Sequence, residues 1–233
     1  TATLEQVGVA ASLTAESINF LTKGLGMSAT EAAATQEQLA EFAKGIGVTP
    51  ALMAENFKAS QPIMVQYGSV VGQQVFEKLS KQAKATGIAF SDLLSITGQF
   101  DTFEGAANAA GKLNALLGGN LLNSVELLTA SEEQRIVMLR NAVTQSGRSF
   151  ASMNKFEKQS IAAAAGISDM TQAAKLFGTT DAEFSAVSEE QANLAEMAAK
   201  AQSMTDKLSQ AAQRLAVALE PLVNLAVGIL DVM

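Results

Sequence analysis

The chain has 233 residues, 16 of them basic and 23 acidic, a formal charge of −7, and neither cysteine nor histidine. A disulfide framework, a thiolate metal site and a cysteine nucleophile are therefore excluded, the usual imidazole base and metal ligand are missing, and no electrostatic footprint for nucleic acid is present overall. Hydrophobic residues make up 48% of the chain but aromatic ones only 5%, with no Trp, so the core is built from Ala, Leu, Val, Ile and Met, which suits close helix packing better than a sandwich or barrel. An all-α chain is expected, with short helices joined by Gly corners and then a long heptad-patterned C-terminal helix forming an oligomeric bundle.

Thr1 in place of an initiator Met, with no basic-plus-apolar leader, reads as a fragment of a longer or processed chain. Thr3 to Leu21 reads as a mixed amphipathic helix closed by Gly24 or Gly26. Ser28 with Glu31 has the spacing of a capping box and opens a helix over Ala29 to Lys44, which Gly45 and Gly47 end. Thr49 then caps a helix over Ala51 to Ala59, with Pro50 at the first position, where a missing amide costs nothing. Pro62 opens the next helix, running toward Thr86, although the β-branched content of Ile63 to Val71 leaves a strand open there. Lys78, Lys81 and Lys84 form a basic stripe at helical spacing, which beside Glu77 reads as a solvated face and not a phosphate track.

The stretch from Phe100 to Asn123, FDTFEGAANAAGKLNALLGGNLLN, is the most distinctive. Asp101 with Glu104 matches a helix-start box, so a helix begins near Thr102. Phe103, Ala106, Ala107, Ala110, Leu113, Leu116 and Leu117 fall three or four apart and predict one buried face. Gly118 and Gly119 form a predicted hinge, since two adjacent glycines cost about 2 kcal/mol inside a helix relative to alanine. A corner of the form helix, Gly, apolar residue, capped helix occurs three times, with Gly47, Gly87 and Gly166 as exits, Val48, Ile88 and Ile167 packing back, and Thr49, Ser91 and Ser168 as caps. Farther on, Ser131 with Gln134 caps Glu132 to Gln145, Gly147 exits, and helices cover Ala151 to Ala165 and Asp169 to Phe177.

Thr180 with Glu183, and Ser188 with Gln191, offer two starts for a final helix, which divides the chain into a corner-rich region, 1–180, and a self-association segment, 181–233. Leu194, Ala201, Leu208, Leu215, Leu222 and Ile229 occupy one heptad position, and Met197, Met204, Ala211, Ala218, Leu225 and Val232 the other. The two methionines read as core fillers and not as a soft metal site. A stripe kept in seven-residue register over this length predicts supercoiling chains, and the wider apolar face beyond Leu215 favours three or more, with a homotrimer as the single expectation. Pro221 predicts a kink within it. The run from Leu215 to Met233 is apolar on more than one face, but Glu220, Pro221, Asn224 and Asp231 argue against a simple membrane span.

The central stretch resembles segments of the tail tape measure proteins of long-tailed bacteriophages, together with Ile88 to Phe100 before it and LNSVELLTASEEQRIVMLRNAV and SGRSFASMNKFEKQSIAAAAGIS after it. The resemblance covers Ala83 to Phe177. It implies a structural virion protein that sets tail length in assembly, is made in the host cytoplasm, sits in the tail tube lumen, contacts tube and baseplate hub proteins, and leaves with DNA, with host-membrane contact after ejection. It assigns no catalytic, cofactor or metal residue and no specific nucleic-acid binding. Such proteins sometimes carry a peptidoglycan-cleaving domain, which needs a buried glutamate acid among aromatic sugar platforms. With one Tyr and no Trp, Glu104, Glu126 and Glu183 read instead as helix-start or solvent-facing residues, and no enzyme is expected. Two alternatives remain at the level of the residues: a secreted helical toxin or translocator with a membrane-inserting C-terminal helix, and a cytoplasmic helical adaptor.

Overall fold

The computed structural model describes residues 8–180 and 184. Ten α-helices, and no strand, occur among the described residues. They are α1 (Ala11–Asn19), which runs into a π-helical turn (Phe20–Gly24), α2 (Ala29–Gly45), α3 (Pro50–Ala59), α4 (Gln61–Thr86), α5 (Phe90–Gly98), α6 (Phe103–Leu117), α7 (Ser124–Thr129), α8 (Glu132–Gln145), α9 (Lys155–Ala164) and α10 (Met170–Gly178). Short 3₁₀ turns, Gln99–Asp101 and Phe150–Ser152, precede α6 and α9. The segment expected to form a long heptad helix, 181–233, lies outside the described residues apart from Phe184.

Local chemistry explains most of the boundaries. Ser28 accepts the Glu31 amide while the Glu31 carboxylate accepts the Ser28 amide, and Thr49 accepts the Leu52 amide with Pro50 at the first helical position. At two of the three corners the closing bonds repeat. Gly47 and Gly166 have φ of 65° and 73°, and the amides of Val48 and Ile167 each reach back 2.8 Å to the carbonyls of Ala43 and Ala162. The third exit, Gly87, has φ of 65°.

Several starts differ from the sequence expectation. Asp101 does not cap α6: its carboxylate is drawn 2.6 Å from Arg135, and Thr102 accepts the Gly105 amide in its place. Ser91 lies inside α5, which begins after Ala89 with no side-chain cap, and Asp169 rather than Ser168 caps α10. The helix expected from Ala151 begins at Lys155, after the 3₁₀ turn, because Asn154 and Glu157 form a capping box there. α1 is helical only from Ala11 among the described residues.

In the main core cluster Phe76 of α4 packs edge-on between Phe57 of α3 (5.7 Å, 86°) and Phe90 of α5 (5.4 Å, 63°). Each such pair adds about 0.5–1.5 kcal/mol beyond its buried area. α6 contributes Ala106, Ala109 and Ala110, small residues that let α7 and α9 pack close, together with Leu113 and Leu117. Phe103, expected on this face, is 63% exposed. Gly105 explains why: it lies so close to the Gln99 carbonyl that a Cβ would fall 1.9 Å from its oxygen, and position 103 lies about 200° around the helix from it. Leu116 is also exposed, and Ala109 takes a buried place where Ala107 was expected.

The stretch Ile63 to Val71 is helical in spite of its β-branched content, but α4 bends sharply at Gly68 (φ 79°, ψ 169°). Gly72 makes the bend possible, since a Cβ there would lie 2.8 Å from the Met64 Cα. Val65, Val70 and Val71 are left exposed around it.

Candidate functional site

The twelve residues of the predicted self-association stripe, Leu194 to Val232, lie outside the described residues, so the structure brings none of them together. The predicted hinge is described. α6 ends at Leu117, Gly118 adopts a left-handed conformation (φ 82°, ψ 28°), and α7 does not begin until Ser124. The amides of Gly118 and Gly119 both point back to the Asn114 carbonyl, at 3.0 and 3.1 Å. The Asn114 side chain then fastens the loop. Its Oδ1 accepts the amides of Leu121 and Leu122, both at 2.9 Å, and its Nδ2 donates to the Leu122 carbonyl at 2.8 Å and the Asn120 side chain at 3.2 Å. Asn123 caps α7 by accepting from Val125 and Glu126. Leu122 and Leu127 close over the core from the far side of the break.

A buried charged group packs at the ends of α5 and α7. Arg135 of α8 is 2% exposed and donates to the carbonyls of Leu127 (2.9 Å), Leu128 (3.0 Å), Thr97 (3.1 Å) and Phe100 (3.5 Å), as well as to Asp101. One guanidinium thus satisfies the C-terminal carbonyls of both α5 and α7, which a planar fork of five donors can do and a lysine cannot. Arg140, one turn and a half further along, donates to the carbonyls of Leu176 and Thr179 at the end of α10 and lies 4.3 Å over the Phe184 ring. The signal was present in sequence: Glu132, Arg135, Ile136, Leu139, Ala142 and Val143 share the helical spacing of one face, so the charges at its start had to be buried with the apolar residues.

Glu132 and Glu133 open α8 and are also buried. The Glu133 carboxylate meets Lys78 at 3.4 Å, and its carbonyl accepts from Gln82. Burial pushes the Glu132 carboxyl above the usual glutamate range, against the hydrogen bond from its own backbone amide and the Arg135 charge, with Asp101 and Glu133 adding to the shift. Burial, then the Glu132 charge, raises the Tyr67 phenol in the same way. By contrast, hydrogen bonding to Ser28 lowers Glu31, and the Arg148 guanidinium followed by the Asn154 amide lowers Glu157. Glu132 is only 6% exposed, enclosed by the fold at the start of α8.

The other sequence candidates take structural positions. Lys78 pairs with Glu133, Lys84 donates to the Gly47 carbonyl at 3.0 Å, and Lys81 lies 6.0 Å from the Phe42 ring centre, so the basic stripe braces α4 against its neighbours. Glu104 and Glu126 sit in the first turns of α6 and α7. An open recess lined by Gln159, Ala163, Gly166, Ile167, Ser168 and Met170 holds no titratable side chain. Among the described residues no cluster of carboxylates could hold a metal ion, and no helix is long and apolar enough to cross a membrane. No family model, no curated protein and no solved structure matches the chain.

Proposed function

We propose that the chain is a structural, non-enzymatic segment of a phage tail tape measure protein, acting in the tail lumen during assembly and released with DNA at ejection. The observation that carries this reading is the stretch from Phe100 to Asn123, with its flanking segments, in sequence. The all-helical architecture of the described residues is compatible with it, and a helix converts chain length to distance at about 1.5 Å per residue. In this reading the heptad stripe from Leu194 to Val232 joins chains as a trimer, the partners are tail tube and baseplate hub proteins, and no cofactor is used.

Co-expression with tail tube protein tests it. Co-purification that survives substitution of surface charges and fails when the 181–233 segment is removed supports the reading, whereas a chain that never associates with the tube defeats it. Light scattering on residues 188–233, before and after Leu208 and Leu215 are changed to Asp, tests the stripe: an oligomer that becomes a monomer is expected. The apolar run Leu215 to Met233 favours a second reading, a membrane-active translocator, and leakage of liposomes on adding the purified chain would favour it over the first.

A further inference from the structure

Helix α9 buries one face and leaves the opposite one uncovered. Ile161, Ala162 and Ala164 enter the core, while Phe156, Gln159, Ser160 and Ala163 are all exposed, and their spacing of three and four aligns them along about 10 Å of the outward side. The row carries no charge. At its start Phe156 is 78% exposed, the highest value of any large apolar side chain among the described residues. At its end lies the recess of about 370 Å³ formed by Ala163, Gly166, Ile167 and Met170, with the polar Gln159 and Ser168 in its wall. That volume falls within the roughly 300–1,000 Å³ of ordinary ligand pockets, so a phenyl ring enters it. Knob and hole thus share one face, yet they do not meet within one chain: they stand apart along a rigid helix, and a helical side chain leans toward the helix start, which carries Phe156 away from the recess. The charges beside them are opposite. Lys155 precedes the knob and Asp169 sits between Ser168 and Met170 at the hole, both exposed, with Asp169 using Oδ1 to cap α10.

We propose that the outward face of α9 docks on the same face of a second copy of this chain, the two helices running antiparallel about a two-fold axis near Ser160, with Phe156 of each copy seated in the recess of the other. Self-complementarity decides the occupant. A two-fold axis makes every contact twice, so one knob and one hole per chain are both filled, and Lys155 of one copy comes beside Asp169 of the other at both ends. Ser160 and Ala163, being small, let the helices approach closely at the centre. The face of one ten-residue helix is smaller than the roughly 1,200–2,000 Å² that stable complexes bury, so the pairing is weak between free chains and strengthens where copies are held close together. It needs only two copies of α9 and does not depend on the heptad stripe.

The chain has no cysteine, so a single introduced thiol in the full chain reports one position. Ser160→Cys puts it at the proposed axis, and Lys112→Cys puts it on the exposed side of α6 as the reference for chance encounter. Under a mild oxidant Ser160→Cys should join two chains several-fold faster than Lys112→Cys. Adding Phe156→Ser should remove that advantage, and adding Asp169→Asn, which keeps a side-chain cap on α10, should reduce it. In sedimentation, the mass of the native chain should rise with concentration more steeply than that of Phe156→Ser, whose thermal midpoint should match the native one because the ring is exposed. Equal linking rates at the two thiols, a Ser160→Cys link indifferent to Phe156→Ser or Asp169→Asn, or coincident mass curves would overturn the pairing and leave this face to a different partner.

Discussion

Gly68 and Gly118 both interrupt helices, and the two breaks are held in different ways. At Gly118 the helix stops, and the loop that follows is fastened by the Asn114 amide, which bonds the backbone of Leu121 and Leu122. At Gly68 the helix resumes at once, and the short arm before it is held by packing, with Ile63 and Met64 buried and Gly72 pressed against the Met64 backbone. Hydrogen bonds fix a loop's path by direction, whereas packing fixes an arm by shape and buried area. The first break is therefore fastened by directional polar bonds and the second by core packing.

Truncation should separate them most strongly. Met64→Ala removes a fully buried side chain that holds the arm, and is expected to cost about 2–5 kcal/mol in the denaturant midpoint, with the loss of exchange protection concentrated in residues 61–67. Asn114→Ala should cost about 1–3 kcal/mol, because it leaves the backbone of Leu121 and Leu122 unpaired, and its loss of protection should fall in residues 119–123. Equal costs, or protection lost uniformly over the unit in both variants, would remove the distinction.

One substitution made at both glycines sharpens it. Gly118 is in the left-handed helical region, where alanine costs about 1–2 kcal/mol, while Gly68 at φ 79° and ψ 169° is in a region nearly closed to alanine, where the cost rises to about 1–3 kcal/mol. No neighbour stands within 4 Å of a Cβ at either position, so the difference isolates backbone strain. Gly68→Ala should lower the thermal midpoint more than Gly118→Ala, and the reverse order would show that the arm relaxes the strain by moving.

The smallest expected effect is on pH dependence. Glu31 and Glu157 are held below 4.5 in the folded chain, so their contribution is present above that value and is lost as pH falls through their folded values. Glu132 is held above 4.5, so its contribution is fully present below that value and is lost as pH rises through its folded value. The two signs oppose each other: falling pH removes the Glu31 and Glu157 contribution and rising pH removes that of Glu132. Thermal midpoints across pH 3–8 should show it, and Glu132→Gln should flatten the neutral limb while leaving the acid one.

Helix ends were legible where a motif is closed within a few residues. The boxes at Ser28 and Ser131, the Thr49–Pro50 start and the exits at Gly47, Gly87, Gly147 and Gly166 all follow from local bonding that later folding does not contest. Asp101 was misread because its competitor, Arg135, is 34 residues away, and a charge-assisted bond outweighs an exposed cap. The exposure of Phe103 follows from the Gly105 contact with Gln99, which no periodicity encodes. The sharp bend at Gly68 escaped for a related reason: a glycine inside an apolar helical pattern is also compatible with a straight helix, and only the Gly72–Met64 contact selects the bent form. Arg135, Arg140, Glu132 and Glu133 were hidden by the ordinary expectation that charge faces water.

The grip of Arg140 on the end of α10 has a mechanical consequence. The carbonyls of Leu176 and Thr179, at the end of α10, are tied to a side chain rooted in the middle of α8, whose Ile136, Leu139 and Val143 are buried in the core. Tension drawn along the chain at Thr179 is therefore divided between the peptide path back through α10 and a guanidinium anchored at the centre of the unit. A pull meets the Arg140 bond to Thr179 first and the bond to Leu176 next, so both stand before the peeling of α10. A pull at this end meets a brittle threshold first and unravels helix by helix only afterwards.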